Sequence, residues 1–242
     1  MNAIFRREFY SRFHNMTGFV FLALFILAAG FISMYYNLLL GSPTFSYALS
    51  DLMLPLALLC PILCYDSIAK ERRLSIEKTL YSLPVRSTDI VLGKYLSITA
   101  LLLISSVILA FFPLIFNFFG EVNFASAYLS LLAFFLFGCA VSAVFFFFSS
   151  LFKKRAACLV ACYSFVAVMY LIQIVSLFFE KQHLLFGIPS KFFFFIGIFN
   201  RFESFVYGAF DVSTLIYYLS ITVFFVFLAV VRFEKRRYEV KI

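Results

Sequence analysis

The chain has 242 residues, of which 64% are hydrophobic and only 13% charged, and its mean hydropathy is +1.02. Soluble domains carry about 25% charged residues, so this balance excludes an ordinary water-soluble globule and points to an integral membrane protein. The formal net charge of +8 sits in short loops and tails. Placed there, it reports topology and contact with anionic membrane lipid, with no nucleic-acid partner implied.

In chain order, residues 1–16 predict an amphipathic helix lying in the membrane interface. Phe5, Phe9, Phe13 and Met16 step along one face, while Arg6 and Arg7 project elsewhere. Arg12, near the apolar edge, is placed to snorkel to lipid phosphate. The apolar run Gly18–Leu40 exceeds the about 7–15 residues of a signal-peptide core, so it reads as a retained first span. Gly41, Ser42 and Pro43 break the pattern, and Tyr47–Tyr65 gives a second span with Asp51 near its outer end. Pro55 and Pro61 inside it predict a kink.

A third span is expected over Tyr95–Phe119 and a fourth over Ala125–Leu151, separated by a turn at Glu121 and Asn123. Gly138 and Ser142 have small-xxx-small spacing, a hint of close helix contact. Lys153, Lys154 and Arg155 close the fourth span. The fifth is expected over Ala156–Phe179 and the sixth over Val212–Val231, followed by a basic tail. The cysteines, Cys60, Cys64, Cys139, Cys158 and Cys162, all fall in apolar runs, and the only histidines are His14 and His183. A metal centre wants about four N, O or S ligands. The thiols therefore read as small hydrophobes, and no metal or cofactor is expected.

Two stretches do not read as plain spans or turns. Asp66–Lys94 is polar and carries Lys70, Arg72, Arg73, Lys78, Arg86 and Lys94 beside Asp66, Glu71, Glu77 and Asp89. Within it, Ile76, Leu80 and Leu83 recur at the spacing of one helical face, and Pro84 ends that pattern. It reads either as a solvated positive-inside loop or as an amphipathic surface helix offering a handle to a soluble partner. Residues 180–211 are too rich in Phe to be solvated and are broken by Gly187, Pro189, Gly197 and Gly208. They read as short re-entrant or interfacial helices on the outer side, or as an interfacial hairpin that only packs.

Seventeen of the twenty Lys and Arg residues fall in the N-terminus, the Asp66–Lys94 loop, the loop before the fifth span and the tail. Only Lys181, Lys191 and Arg201 fall on the other side. This bias puts both termini in the cytoplasm and makes the number of spans even, hence six. None of the expected spans holds an ionisable residue in its interior, which disfavours ion-coupled transport. The sequence has no HExxH, no GxSxG and no paired acidic motif on a helix. Gly93-Lys94 lacks the glycine-rich cradle of a phosphate-binding loop. A non-catalytic chain is expected, with its energy source in another protein.

Glu71-Arg72, Pro84-Val85 and Ile90-Val91-Leu92-Gly93-Lys94-Tyr95 resemble the first cytoplasmic loop of ABC-2-type exporter permeases. The likeness is strongest to the branch of gliding-motility and nitrous-oxide-reductase-maturation permeases, and extends to Gly208, Asp211 and Tyr217. The chain departs from that pattern at Ser75-Ile76, where members commonly carry Gly-Thr, at Lys78, where an acidic residue is common, and at Tyr207, where an Arg is common. The resemblance implies one all-α membrane permease domain over residues 1–242. It would have six transmembrane helices, an N-terminal elbow helix, a coupling helix in the second-to-third loop and re-entrant helices between spans five and six.

The resemblance further implies a bacterial plasma-membrane protein with an ATP-binding-cassette ATPase as partner subunit. It implies a homodimer, or a heterodimer with a second six-span permease, that exports an amphipathic or apolar substrate. Glu71, Arg72, Ile76, Glu77, Leu80, Leu83 and Pro84 would dock on the ATPase, and Pro189, Gly197, Gly208 and Asp211 would shape an outer gate. Two other classes stay open: a small-molecule-binding membrane subunit of an uptake system, and a membrane scaffold of a larger machine. A membrane enzyme lacks a convincing nucleophile, metal set or acid–base pair.

Overall fold

The computed structural model describes residues 2–14, 16–36, 45–65, 86–118, 122–152, 154–181, 197–209 and 211–241. Among these residues all regular structure is helical. The helices are α1 (Asn2–His14), α2 (Thr17–Met34), α3 (Phe45–Cys64), α4 (Ser87–Leu109), α5 (Phe112–Phe116), α6 (Phe124–Leu151), α7 (Arg155–Lys181), α8 (Glu203–Val206) and α9 (Val212–Lys241). A 3-10 turn, Asn200–Phe202, leads into α8. Six segments are long and apolar enough to cross a membrane: α2, α3, Ser87–Phe116, α6, α7 and α9. Six such helices mark a multi-pass membrane protein.

The span boundaries expected from hydropathy match the helices with three exceptions. α2 ends at Met34, and the expected end at Leu40 lies outside the described residues. α4 starts at Ser87, behind the extended backbone of Arg86, and not at Tyr95. Asp89 and Lys94 therefore belong to the helix, and Lys94 is only 1% exposed. Lys94 sits just N-terminal to the apolar run expected from Tyr95, so the interior of that run still holds no ionisable side chain. At the other end of the chain, α9 runs through the basic tail to Lys241.

α6 is the centre of the bundle, packed against α3, α4, α7 and α9. Phe137, Phe145 and Phe146 on it are fully buried. Lipid tails are as apolar as these side chains, so shape fit and interhelical hydrogen bonds have to hold the helices together. Ring contacts supply much of the fit: Phe134 meets Phe25 at 6.2 Å, Phe146 meets Tyr95 at 5.9 Å and Phe147 meets Phe225 at 5.7 Å. Polar pins add direction, with the Ser46 and Ser130 hydroxyls 2.9 Å apart and Tyr95 donating to the Cys139 carbonyl at 2.9 Å. A Cβ on Gly138 would lie 3.2 Å from Leu56 Cδ2, so the small-residue spacing does mark a close approach of α6 to α3. All five cysteines are free and buried in this interior.

α1 carries the expected aromatic face, with Phe9 5.8 Å from Phe5 and 5.0 Å from Phe13. Met16 leaves that face. It adopts φ 58 at the turn into α2 and is 71% exposed, while Phe19 takes its place against Phe13 at 5.1 Å.

Residues 197–209 reach inward between α6, α7 and α9. Gly197 to Phe202 are all buried. Phe199 packs on Phe137 at 5.3 Å and Tyr170 at 6.4 Å, and Tyr218 donates to the Ile198 carbonyl at 2.9 Å. Phe137 lies roughly 20 Å along α6 from its first residue at the helical rise, so the segment penetrates about half the bundle. It turns back at α8, where Ala209 N–H donates to Ser204 O and Gly208 N–H to Phe205 O. That bond pair closes a helix through a left-handed residue, and Gly208 supplies it at φ 74.

Candidate functional site: the basic end of the bundle

At one end of the bundle, the C-termini of α3 and α6 meet the N-termini of α4 and α7 and the basic tail of α9. The last carbonyls of a helix have no partner within it and carry its negative dipole end. Arginines from remote parts of the chain answer that charge. Arg12 of α1 donates through Nη1 to the Leu63 carbonyl at 2.6 Å and through Nε to Ser97 Oγ at 3.0 Å. Arg236 of α9 donates to the Leu151 carbonyl, the last of α6, at 3.2 Å. Arg237 reaches Ser87 Oγ at 3.4 Å, and the Arg155 guanidinium lies 5.6 Å from the Tyr65 ring centre.

α1 lies against α4 and is held there by charge. Lys94 Nζ is 3.4 Å from Glu8 Oε1, which also pairs with Arg7 at 2.8 Å. Burial of the Glu8 carboxyl pushes its pKa up, but Lys94, Arg7 and Arg12 together outweigh that and hold it below the usual glutamate value. Gly93 permits the contact: a Cβ there would lie 3.1 Å from Ile4 Cγ2 and 3.4 Å from the Phe5 nitrogen. Arg12 thus does not snorkel to phosphate. It is 8% exposed and spent on protein acceptors, because an unsatisfied helix end lies within reach.

The consequence is geometric. Leu63 precedes residues 66–85 and Lys94 and Ser97 follow them, so α1 grips both flanks of that loop. Glu71, Arg72, Ile76, Glu77, Leu80, Leu83 and Pro84 lie outside the described residues, as does Pro189.

At the opposite end, Asp211 caps α9, accepting from Ser213 N at 2.9 Å and from Thr214 Oγ1 at 2.7 Å. Arg201 stands beside it, 7% exposed. Its guanidinium is 4.8 Å from the Tyr217 ring centre and 3.3 Å from Ser213 Oγ. The structure thus brings Asp211 together with Arg201, Ser213, Thr214 and Tyr217. Gly208 ends α8 on the same segment, with the position of a Cβ 3.4 Å from Ser126 Oγ, and Gly197 is buried at its inner end.

No protein-family model matches the chain, and no curated protein matches it. The residues that organise the basic end are Glu8, Arg12, Lys94 and Arg236, none of which stands out by spacing. Among the described residues, no cluster of His, Cys, Asp or Glu is arranged to hold a metal ion.

Proposed function

We propose that the chain is the membrane-spanning permease subunit of an ABC-2-type exporter, driven by ATP hydrolysis in a separate subunit. The observation that carries this reading is the double grip of α1 on the residues that flank 66–85. Arg12 holds Leu63 before the loop and Ser97 after it, so a force applied to the loop by a soluble partner would reach α3 and α4 together. The motif resemblance at Glu71-Arg72 and at Ile90 to Tyr95 adds to it, as does the lack of any catalytic constellation in the sequence. In this reading the basic end faces the cytoplasm by the positive-inside rule, and both termini lie there. α1 is the interfacial elbow helix, and residues 197–206 form a re-entrant element dipping in from the outer side. The cargo is amphipathic or apolar, since the spans offer Phe, Tyr, Ser and Thr in place of fixed charge.

Affinity purification from the native host in mild detergent tests the reading, scored for a stoichiometric partner with ATPase activity. The expected partner is lost from Leu80→Asp while membrane insertion stays intact, because a charge breaks the apolar docking face. A chain that purifies alone, or a Leu80→Asp variant that keeps the ATPase, overturns it.

A further inference from the structure

α7 and α9 both pack on α6 and scarcely touch each other, which leaves a groove along α6 between them. Aromatic contacts set its walls: Phe148 of α6 meets Phe165 of α7 at 5.9 Å, and Phe147 meets Phe225 of α9 at 5.7 Å. Farther in, Phe199 fills the groove over Phe137. At the basic end it is open, with Phe147, Phe148 and Leu151 each partly exposed along its floor.

The rim of that open end is cationic. Arg232 of α9 is partly buried, and its Nε is buried without a hydrogen-bond partner. Lys235 and Arg236 follow at i+3 and i+4, on the same side of the helix. The bond from Arg236 to the Leu151 carbonyl, at 3.2 Å, fixes that side over the end of α6. Lys154 stands exposed three residues beyond Leu151, just before the positive N-terminal end of α7. Among the described residues, none of Arg232, Lys235 and Lys154 joins an ion pair. Glu234, two positions on from Arg232, lies on the opposite side of α9.

A buried N–H without an acceptor is costly, so the rim calls for an anionic oxygen that the described residues do not supply. The turns of α9 before Arg232 are apolar on this side: Leu228 is partly exposed and Phe224 is 57% exposed. We propose that the groove binds one anionic phospholipid. Its phosphate sits among Arg232, Lys235 and Lys154, where the guanidinium fork suits two phosphate oxygens. The start of an acyl chain lies along Leu228 and Phe224, over Phe147 and Leu151. The general pull of a basic surface on anionic lipid acts on every exposed cation alike, whereas this site depends on Arg232. The inference needs no ATPase and stands or falls apart from the proposed function.

Titration of the delipidated full chain in neutral detergent with dioctanoyl phosphatidylglycerol tests it, read as the rise in melting temperature with concentration. Dioctanoyl phosphatidylcholine and inorganic phosphate are titrated alongside. The expected result is a saturable rise with phosphatidylglycerol alone, with apparent affinity about tenfold weaker in Arg232→Gln, the effect of losing a charged hydrogen bond. Lys235→Gln and Lys154→Gln, both at exposed positions, should each weaken binding by less, and they carry the test if Arg232→Gln does not fold. Arg6→Gln, an equal loss of charge at an exposed position of α1, should bind as the wild type does. An equal rise with phosphatidylcholine would leave an apolar groove only, and an equal rise with phosphate an ion site only; either overturns the proposal. So does the absence of any rise, unchanged affinity in the groove variants, or a loss in Arg6→Gln as large as theirs, which would make the attraction diffuse.

Discussion

Lys94 Nζ lies 3.4 Å from Glu8 Oε1, joining a buried lysine of α4 to the N-terminal helix. The pair is lopsided, since the Lys94 side chain is 1% exposed and that of Glu8 15%. An ammonium in that position is costly without its counter-charge, so the N-terminal helix is part of what makes α4 tolerable in its place.

Glu8→Gln keeps the shape and removes the charge. Breaking a fully buried pair costs about 3–5 kcal/mol, and the partial exposure of Glu8 reduces this to about 1–3 kcal/mol. The expected outcome is an apparent melting temperature in detergent lower by about 2–10 °C. An unchanged value would show that Lys94 does not depend on Glu8.

The same pair sets a pH dependence. Glu8 titrates below the ordinary glutamate value in the folded chain, chiefly because Lys94 and then Arg7 and Arg12 offset its burial. A carboxyl with a depressed folded pKa contributes stability that is complete above the unfolded value of about 4.3 and is lost as pH falls through the folded one. The wild-type protein is therefore expected to lose this part of its stability only below about pH 4. Glu8→Gln should flatten the acid limb of a melting-temperature profile; parallel profiles for the two proteins would count against the ion pair.

At the other end, three substitutions separate backbone from side-chain causes. Gly208→Ala forces a side chain into φ 74 and is expected to cost about 1–2 kcal/mol. Asp211→Ala removes the cap of α9 and is expected to cost about 1 kcal/mol, while Asp211→Asn should cost much less, since Asn caps nearly as well. Thermal melts of the three variants check this. Equal losses for the Ala and Asn changes at Asp211 would mean that its charge acts on Arg201 and that capping is secondary.

Much of the bundle was legible because a membrane span announces itself by length and apolarity. Phe45–Cys64 and Phe124–Leu151 lie within two residues of the runs read from hydropathy, and Thr17–Met34 starts within one residue of its run. Gly138 was legible as a small residue in a helix interface. Lys94 and Arg12 were not, because hydropathy counts every charge as water-seeking. Whether a charge stays inside depends on what the fold sets beside it: Glu8, 86 residues away in sequence, or the carbonyl of Leu63. The same blindness hid Arg201, whose burial depends on Tyr217 and Ser213.

Gly93 tests how tightly α1 must sit. Gly93→Val would drive two methyl groups toward Ile4 and the backbone of Phe5, where even a Cβ has 3.1 Å to its nearest neighbour. The expected cost is about 1–3 kcal/mol, with the N-terminal helix lifted from α4. Limited proteolysis near Arg6 and Arg7 should become faster in that variant. Unchanged cleavage with unchanged stability would place the Ile4 contact outside what holds α1.

Arg12 carries the last and broadest prediction, because its guanidinium spans two elements at once. Nη1 serves Leu63 at the end of α3 and Nε serves Ser97 in α4. Hydrogen bonds to a charged group contribute about 1.5–3 kcal/mol each and do not simply add. Arg12→Ala is therefore expected to destabilise by about 2–4 kcal/mol. Arg12→Lys keeps a cation but offers a point charge in place of a fork, so it should hold one flank and release the other. Hydrogen exchange separates a staple from a local contact. A staple predicts faster exchange at the last turn of α3 and the first turns of α4 in Arg12→Ala, with Arg12→Lys between the two proteins. If exchange rises in α1 alone, the flanks of residues 66–85 are held by something else, and the mechanical link from that loop through α1 does not exist.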